Sequence, residues 1–233
     1  MSKKNFAGHF TPFIPEGVIL DMDGLMLDTE RLELQLYVEI SAQMGWPTPE
    51  TMLRKTIGIS DEDAEVFYKN EYGAAYPFRK IWDAVVEKEY KIAEKDGLPH
   101  KTGLLILLDR LKQLEIPMAV ATSANRKRAQ WKLERGGILD RFNAFAFGDE
   151  IERGKPSPDI FLLAAERLGV NPQGCVGFED SPAGLAGLAA AGIHSVFIKD
   201  MAEPAQEILR TVWRRCADLE VAASLFGTTD SPT

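Results

Sequence analysis

The chain has 233 residues, of which 45% are hydrophobic and 27% are charged. This composition is typical of a globular protein with a sizeable core, and the formal net charge of −8 argues against bulk binding of nucleic acid or of an anionic membrane. The two cysteines, Cys175 and Cys216, have no metal-ligand spacing, and residues 1–17 contain no apolar stretch like that of a signal peptide. We therefore expect a cytoplasmic monomer with free thiols and with loosely held ends at residues 1–12 and 227–233.

Short apolar runs recur along the chain, and they are short enough to be strands buried on both faces. They lie at residues 17–20, 117–122, 143–148, 175–178 and 194–199. Amphipathic or capped patterns typical of helices separate the later runs, at residues 104–115, 126–137, 158–169 and 181–192. Strands that alternate with helices predict an α/β fold with a parallel sheet and helices on both faces.

The first interval departs from this alternation. Nearly a hundred residues separate the first two predicted strands, whereas one crossover needs about thirty. The excess is rich in Glu, Lys and Tyr, and its leucines fit a helical stripe, although Leu32–Ile40 also alternates as a strand would. We predict an inserted all-helical domain at residues 33–97 and a catalytic core at residues 1–32 and 98–233.

Polar side chains follow the predicted strands at the points where the strands end. Since the carboxyl ends of parallel strands meet at one edge of a sheet, we expect these side chains to form one site. They are Asp21 and Asp23 after the first strand, Thr122, Ser123 and Asn125 after the second, Lys155 after the third, and Glu179 and Asp180 after the fourth.

Carboxylates that lie this close raise each other's pKa unless a cation lies between them. Mg²⁺ prefers oxygen ligands and usually keeps waters and phosphate oxygens as well. Asp21 and Asp180, with help from Glu179 and a backbone carbonyl near Asp23, could hold such an ion.

The remaining groups suit phosphate chemistry. Thr122 and Lys155 could bind a phosphate oxygen opposite the metal, which leaves Asp21 able to attack phosphorus and form an aspartyl-phosphate. Asp23 could protonate the leaving oxygen and then accept a proton from the hydrolytic water.

Four motifs in the chain resemble those of the haloacid dehalogenase-like superfamily, in the family's order. They are DMDGLMLD at 21–28, Thr122 in AVATSAN, Lys155 in GKPSPD, and Glu179–Asp180 in GFEDSPAG, and the resemblance covers residues 16–200. It implies a Rossmann-like core with a helical cap, Asp21 as nucleophile and Asp23 as acid/base. It also implies Mg²⁺ held by Asp21, the carbonyl of Asp23 and Asp180, with Glu179 bound directly or through water.

The tract GVILDMDGLMLDTERL resembles the subgroup that contains β-phosphoglucomutase and pseudouridine-5'-phosphatase. Mutases of this subgroup carry a His where this chain has Glu33, and an Arg where it has Asp61. Both departures favour a Mg²⁺-dependent phosphatase of a sugar phosphate or nucleotide-like monophosphate. A phosphomutase (an isomerase) and a non-catalytic sensor of a phosphorylated metabolite remain the alternatives.

The leaving group of the substrate would meet residues from both predicted domains. We expect Ser123, Asn125 and Glu33 to contribute to substrate binding. Arg54, Lys55 and Asp61 are further candidates in the predicted insertion.

Overall fold

A computed structural model describes residues 14–227. The expected loose ends lie outside these residues, except for Gly227. Six strands form one parallel sheet in the order β3-β2-β1-β4-β5-β6. They are β1 (Gly17–Leu20), β2 (Met118–Thr122), β3 (Ala144–Phe147), β4 (Cys175–Glu179), β5 (His194–Ile198) and β6 (Arg214–Cys216). The predicted α/β fold with a Rossmann-like parallel sheet is confirmed.

Ten α-helices are described within residues 14–227. They are α1 (Glu30–Gln43), α2 (Glu50–Leu53), α3 (Asp61–Tyr72), α4 (Phe78–Asp96), α5 (Leu104–Gln113), α6 (Arg126–Arg135), α7 (Asp159–Leu168), α8 (Pro182–Ala191), α9 (Gln206–Leu209) and α10 (Leu219–Ala223). The four helical patterns predicted between the later strands correspond to α5, α6, α7 and α8. At α8 the Ser181 side chain accepts a hydrogen bond from the Gly184 amide, and Gly192 follows the helix in the left-handed region.

The strands are buried on both faces because helices cover each side of the sheet. On one face Val18 and Leu20 join a core that includes apolar residues of α5, α6 and α10. On the other face Ile19 joins a second core with residues of α7 and α8. This explains why the strands are continuous apolar runs. Cys175 and Cys216 are buried free thiols, as predicted.

Helices α1–α4, which we call the helical insertion, follow β1 and have a core of their own. Tyr68 and Phe78 stack at 5.5 Å between ring centroids, and Tyr76 lies 5.6 Å from Tyr68. The hydroxyl groups of Tyr37, on α1, and Tyr76 are joined by a hydrogen bond of 3.1 Å. The ambiguous stretch around Leu32–Ile40 is helical. The proposed boundaries at residues 33 and 97 remain predictions, and the first helix begins at Glu30.

The two connections to the helical insertion run side by side. Leu27 and His100 form an antiparallel bridge. The Asp28 amide donates to the Pro99 carbonyl, and the Lys101 amide donates to the Met26 carbonyl, both at 2.9 Å. The chain therefore leaves the sheet and returns to it at one place.

Within residues 14–227, no helix combines the length and the apolar character needed to cross a membrane.

Candidate active site

Four strand ends bring the predicted polar groups together. The sheet order reverses between β1 and β4, and a ligand cleft forms at such a point. Lys155, from the loop after β3, reaches this cleft and donates hydrogen bonds to Asp21 and, at 2.6 Å, to Glu179. All three side chains are buried. Residues 134 positions apart in sequence thus share one charged contact.

Asp21, Glu179 and Asp180 form a cluster of buried carboxylates with ligand atoms within 4.8 Å of one another. Burial raises the pKa of Asp21 to about 8 even though Lys155 opposes the shift. Burial, reinforced by Glu30 and Glu179, raises the pKa of Asp180 well above its usual range. Neither carboxylate oxygen of Asp180 has a hydrogen-bond partner among the described residues. A buried carboxylate without partners is costly, so this donor set fits a hard divalent cation such as Mg²⁺.

Glu179 has a different environment from Asp180. One of its oxygens accepts from Lys155, and the other accepts from the Asp180 and Ser181 amides and from the Ser181 hydroxyl, at 2.9 to 3.0 Å. The side chain is completely buried. These bonds fix both Lys155 and the turn that carries Asp180, so Glu179 orients the cluster even where it does not bind a metal directly.

Asp23 points to a second group of charges. Its Oδ1 accepts a hydrogen bond from the Thr29 hydroxyl and another from Lys132, each at 2.5 Å. Burial raises its pKa, but Lys132 and Arg128 outweigh that effect, so the pKa of Asp23 lies below its usual range. Asp23 is therefore held in one place by two donors.

The residues after β2 have three different environments. Thr122 is buried and its hydroxyl accepts a hydrogen bond from the Ala124 amide at 3.1 Å. The Ser123 hydroxyl donates to the Gly58 carbonyl of the helical insertion at 3.1 Å. Asn125 is the N-cap of α6 and accepts from the Arg128 amide at 3.0 Å. Thr122 and Ser123 line the cavity over Asp21, whereas Asn125 lines a neighbouring groove with Lys155.

A cavity of about 130 Å³ lies between the carboxyl edge of the sheet and the helical insertion. Asp21, Asp23 and Thr122 line its floor. Its opposite wall is largely aromatic and is formed by Tyr37, Tyr68, Phe78 and Trp82. The aromatic residues thus serve both as the core of the helical insertion and as a wall facing the site.

Charged residues of the helical insertion are divided between the cavity and the surface. Glu33 and Asp61 line the cavity, and Asp61 accepts a hydrogen bond from the Trp82 ring at 2.8 Å. Burial raises the pKa of Glu33 to about 7, although Arg128 and Lys132 oppose the shift. Arg54 is exposed and contacts Glu50 and the Met201 carbonyl. Lys55 is also exposed, and neither it nor Arg54 lines the cavity.

Three of the charged residues around Asp23 are not among the predicted site residues, namely Arg128, Lys132 and Glu89. Arg128 and Lys132 lie on α6 at i and i+4, next to the buried Ala129 and Leu133. The spacing in RKRAQWKLER was a signal that both cations share a face of the helix, close to its apolar stripe. Glu89 of α4, which contacts both cations, carried no comparable signal.

A second acidic set contains Asp180, which was predicted as a metal ligand, and two residues that were not predicted, Glu30 and Asp200. Glu30, Asp180 and Asp200 offer oxygens within 4.8 Å of one another. Asp200 also pairs with Arg31 at 2.5 Å and with Lys101 at 2.9 Å, so it contacts the start of α1 and the connection that returns to the sheet.

Comparisons with known proteins agree with this geometry. A family model described as haloacid dehalogenase-like hydrolase matches residues 15–192. A phosphorylated carbohydrates phosphatase of Thermotoga maritima is 31% identical over 182 residues, covering 78% of this chain and 84% of that protein. A β-phosphoglucomutase of Bacillus subtilis is 32% identical over 191 residues, covering 78% and 82%.

The fold has matches among solved structures as well. The crystal structure of β-phosphoglucomutase from Clostridium difficile superposes with a TM-score of 0.76 at 23% identity, covering 89% of this chain and 92% of that one. This likeness concerns the fold. Because the family model covers most of the chain and two relatives exceed 30% identity, the chain is an enzyme that belongs to the haloacid dehalogenase-like hydrolases, as its motifs predicted.

Proposed function

We propose that this hydrolase is a Mg²⁺-dependent phosphatase that removes the phosphate of a small phosphorylated metabolite through an aspartyl-phosphate on Asp21. The observation that carries the proposal is the contact of buried Lys155 with Asp21, beside the unpartnered carboxylate of Asp180. A nucleophile, a phosphate-binding cation and a candidate metal ligand thereby converge on one point of the cleft.

The residues of the chain divide the chemistry among them. Asp21 attacks phosphorus, and Lys155 and the Thr122 hydroxyl bind the phosphate oxygens. Lys132 and Arg128 lower the pKa of Asp23 in the substrate-free site, and the negative charge of a bound phosphate would raise it again. Asp23 then gives a proton to the leaving oxygen as the ester bond breaks, and it later takes a proton from the water that releases phosphate from Asp21. Positioning and electrostatics supply most of the rate in such transfers.

Asp21, Asp180 and the backbone carbonyl of Asp23 would hold Mg²⁺, with Glu179 contributing directly or through water. The bound ion would neutralise the charge of the transferring phosphoryl group and allow Asp21 to be ionised beside Asp180.

The cavity supports a small leaving group with one phosphate. Its volume is about 130 Å³, and its aromatic wall with two carboxylates suits the apolar faces and hydroxyl groups of a sugar or nucleoside. Asp61 would repel a second phosphate. The similarity to a phosphatase of phosphorylated carbohydrates supports a sugar phosphate. We also expect a cytoplasmic monomer, in which the two buried thiols stay reduced.

The β-phosphoglucomutase relative keeps a phosphomutase as the second candidate. A mutase must bind phosphate at both ends of a bisphosphate intermediate. Release of inorganic phosphate in proportion to substrate consumed would separate the phosphatase from it.

The test is a phosphate-release screen over phosphorylated sugars and nucleoside monophosphates, with Mg²⁺ and with EDTA. Asp21→Asn should abolish turnover, because its amide cannot form the phosphoenzyme. Asp109→Asn is the matched control, since Asp109 lies on α5 with an exposed side chain. Activity that survives in D21N, or that does not need a divalent cation, would contradict the proposal.

A further inference from the structure

Five charged side chains, three of them buried and two partly buried, form a cluster between α6 and the helical insertion. Arg128 and Lys132 are contributed by α6, Glu33 by α1, Glu89 by α4, and Asp23 by the turn after β1. Glu89 and Lys132 are completely buried, and Arg128 is 6% exposed. We call this set the Asp23 cluster.

Lys132 is the centre of the cluster. Its ammonium nitrogen lies 2.5 Å from Asp23, 2.5 Å from Glu33 and 3.3 Å from Glu89. It therefore joins a carboxylate of the core to carboxylates of two helices in the helical insertion.

Arg128 supports the same carboxylates from the preceding turn of α6. It lies 2.8 Å from Glu33 and 3.1 Å from Glu89, and its guanidinium covers the Trp82 ring at 4.5 Å. Arg128 and Lys132 therefore both contact Glu33, which faces the cavity, and Glu89, which is completely buried. Arg128 also contacts Trp82 in the aromatic wall.

Stability alone does not account for such a cluster. Removing several charges from water is expensive, and apolar residues of similar volume often stabilise a core as well or better. With its three carboxyl groups ionised, the cluster has one more negative than positive charge. The cluster differs from an ordinary group of ion pairs because it ends at Asp23. Lys132 is one of only two hydrogen-bond donors to the side chain of Asp23 among the described residues.

We propose that Lys132 is a positioning residue for Asp23, and that Glu33, Glu89 and Arg128 hold Lys132 in place only while the helical insertion is packed against α6. This inference rests on the proposed function, since it assumes that Asp23 moves the proton. Docking of the helical insertion and alignment of the acid/base group are then one event.

The two half-reactions depend on Asp23 to different extents. In the first, the Asp21–phosphorus bond forms and the ester bond breaks while the leaving oxygen takes a proton from Asp23. A nitrophenolate leaving group needs little of that help. In the second, water attacks phosphorus, the bond to Asp21 breaks, and Asp23 must accept a proton from that water.

A misplaced Asp23 should therefore slow the second half-reaction most. With p-nitrophenyl phosphate, Lys132→Met should lower the steady-state rate about 10- to 100-fold, since misplacing a catalytic group costs factors of this size. The first turnover, seen as a burst of nitrophenolate, should fall much less, and KM should change little. For an alkyl phosphate both steps should slow. Lys127→Met is the matched control, because Lys127 is exposed on the same helix.

A double variant separates positioning from stability. K132M leaves three carboxylates around Arg128, which is expected to lower the melting temperature. Adding Glu89→Gln restores the original charge balance of the cluster, and Glu89 neither contacts Asp23 nor lines the cavity. K132M/E89Q should recover melting temperature without recovering the steady-state rate.

Recovery of both stability and rate in K132M/E89Q would overturn the positioning role, as would a first turnover that falls in proportion to the steady state. If D21N is inactive and the parent chain active while K132M matches the parent, only this inference fails. A parent chain that releases no phosphate would refute it together with the proposed function.

Discussion

Replacing Asp180 with asparagine should stabilise the metal-free protein while destroying its response to Mg²⁺. Asp180 is 1% exposed, neither of its oxygens has a hydrogen-bond partner among residues 14–227, and burial and the neighbouring carboxylates raise its pKa far above the ordinary 3.8. A buried group of this kind opposes folding until a cation binds it.

The size of the effect has two bounds. A buried unsatisfied polar group costs at least about 1 kcal/mol. The cost at pH 7 cannot exceed the work of protonating a carboxyl group of pKa 3.8, which is about 4 kcal/mol at 1.36 kcal/mol per pH unit. For a chain of this length, D180N should therefore raise the metal-free melting temperature by roughly 2 to 16 °C.

The sign of the pH dependence follows from the raised pKa. The folded protein binds the Asp180 proton more tightly than the unfolded chain does, so the cost of burying a charged Asp180 is absent below about pH 4 and stability is lost as pH rises toward the pKa of the folded state. The gain of D180N over the parent should thus be small near pH 4 and should grow toward pH 7.

Thermal unfolding in EDTA, followed by a Mg²⁺ titration, tests the prediction. Mg²⁺ should raise the melting temperature of the parent chain in proportion to RT ln(1 + [Mg²⁺]/Kd) and should have little effect on D180N. A metal-free D180N that melts below the parent, or one that Mg²⁺ stabilises equally, would refute the reasoning.

Three further substitutions test other parts of the site. Gly58 has a φ of +82°, and a Cβ there would lie 2.4 Å from the Ser181 hydroxyl oxygen. Gly58→Ala should therefore push the helical insertion away from the core and lower kcat/KM at least roughly tenfold in steady-state kinetics. Asp61→Asn can still accept the Trp82 hydrogen bond but lacks the charge, so the ratio of kcat/KM for a sugar bisphosphate to that for the monophosphate should rise several-fold, and an unchanged ratio would contradict a repulsive role for Asp61. Lys155→Met keeps the buried stem and loses the cation, so turnover should fall on the order of 10²- to 10³-fold, and the affinity for inorganic phosphate, measured as product inhibition, should fall as well. An unchanged phosphate affinity would contradict the placement of Lys155 in the phosphate site.

The sheet was predictable because strands that are buried on both faces form continuous apolar runs, and a polar residue marks the carboxyl end of each run. The run GVIL predicted β1 at its observed bounds, and Asp21 followed directly from it. The short strand β6 was missed because it is Arg-Arg-Cys, with only Cys216 buried, and an edge strand needs little apolar character.

The part of the site that comes from strand ends was also predictable, since topology alone brings those ends together. The cluster around Asp23 was not, because it depends on how α4 and α6 meet across the boundary of the helical insertion. In the sequence, Glu89 is one of many charged residues in a helical segment, and such residues are usually exposed to solvent. Its burial is decided by packing of distant segments, for which one sequence carries no direct signal.

The side-by-side connections at Leu27 and His100 have a consequence for how specificity can change. A segment whose entry and exit are hydrogen-bonded neighbours can be exchanged for another of different length without altering the register of the sheet. Chimeras that graft a relative's helices between Asp28 and Pro99 should therefore acquire the donor's choice of leaving group. They should keep the hydrolytic machinery when the graft retains Thr29, Glu33 and Glu89, which support Asp23 and Lys132 from this segment.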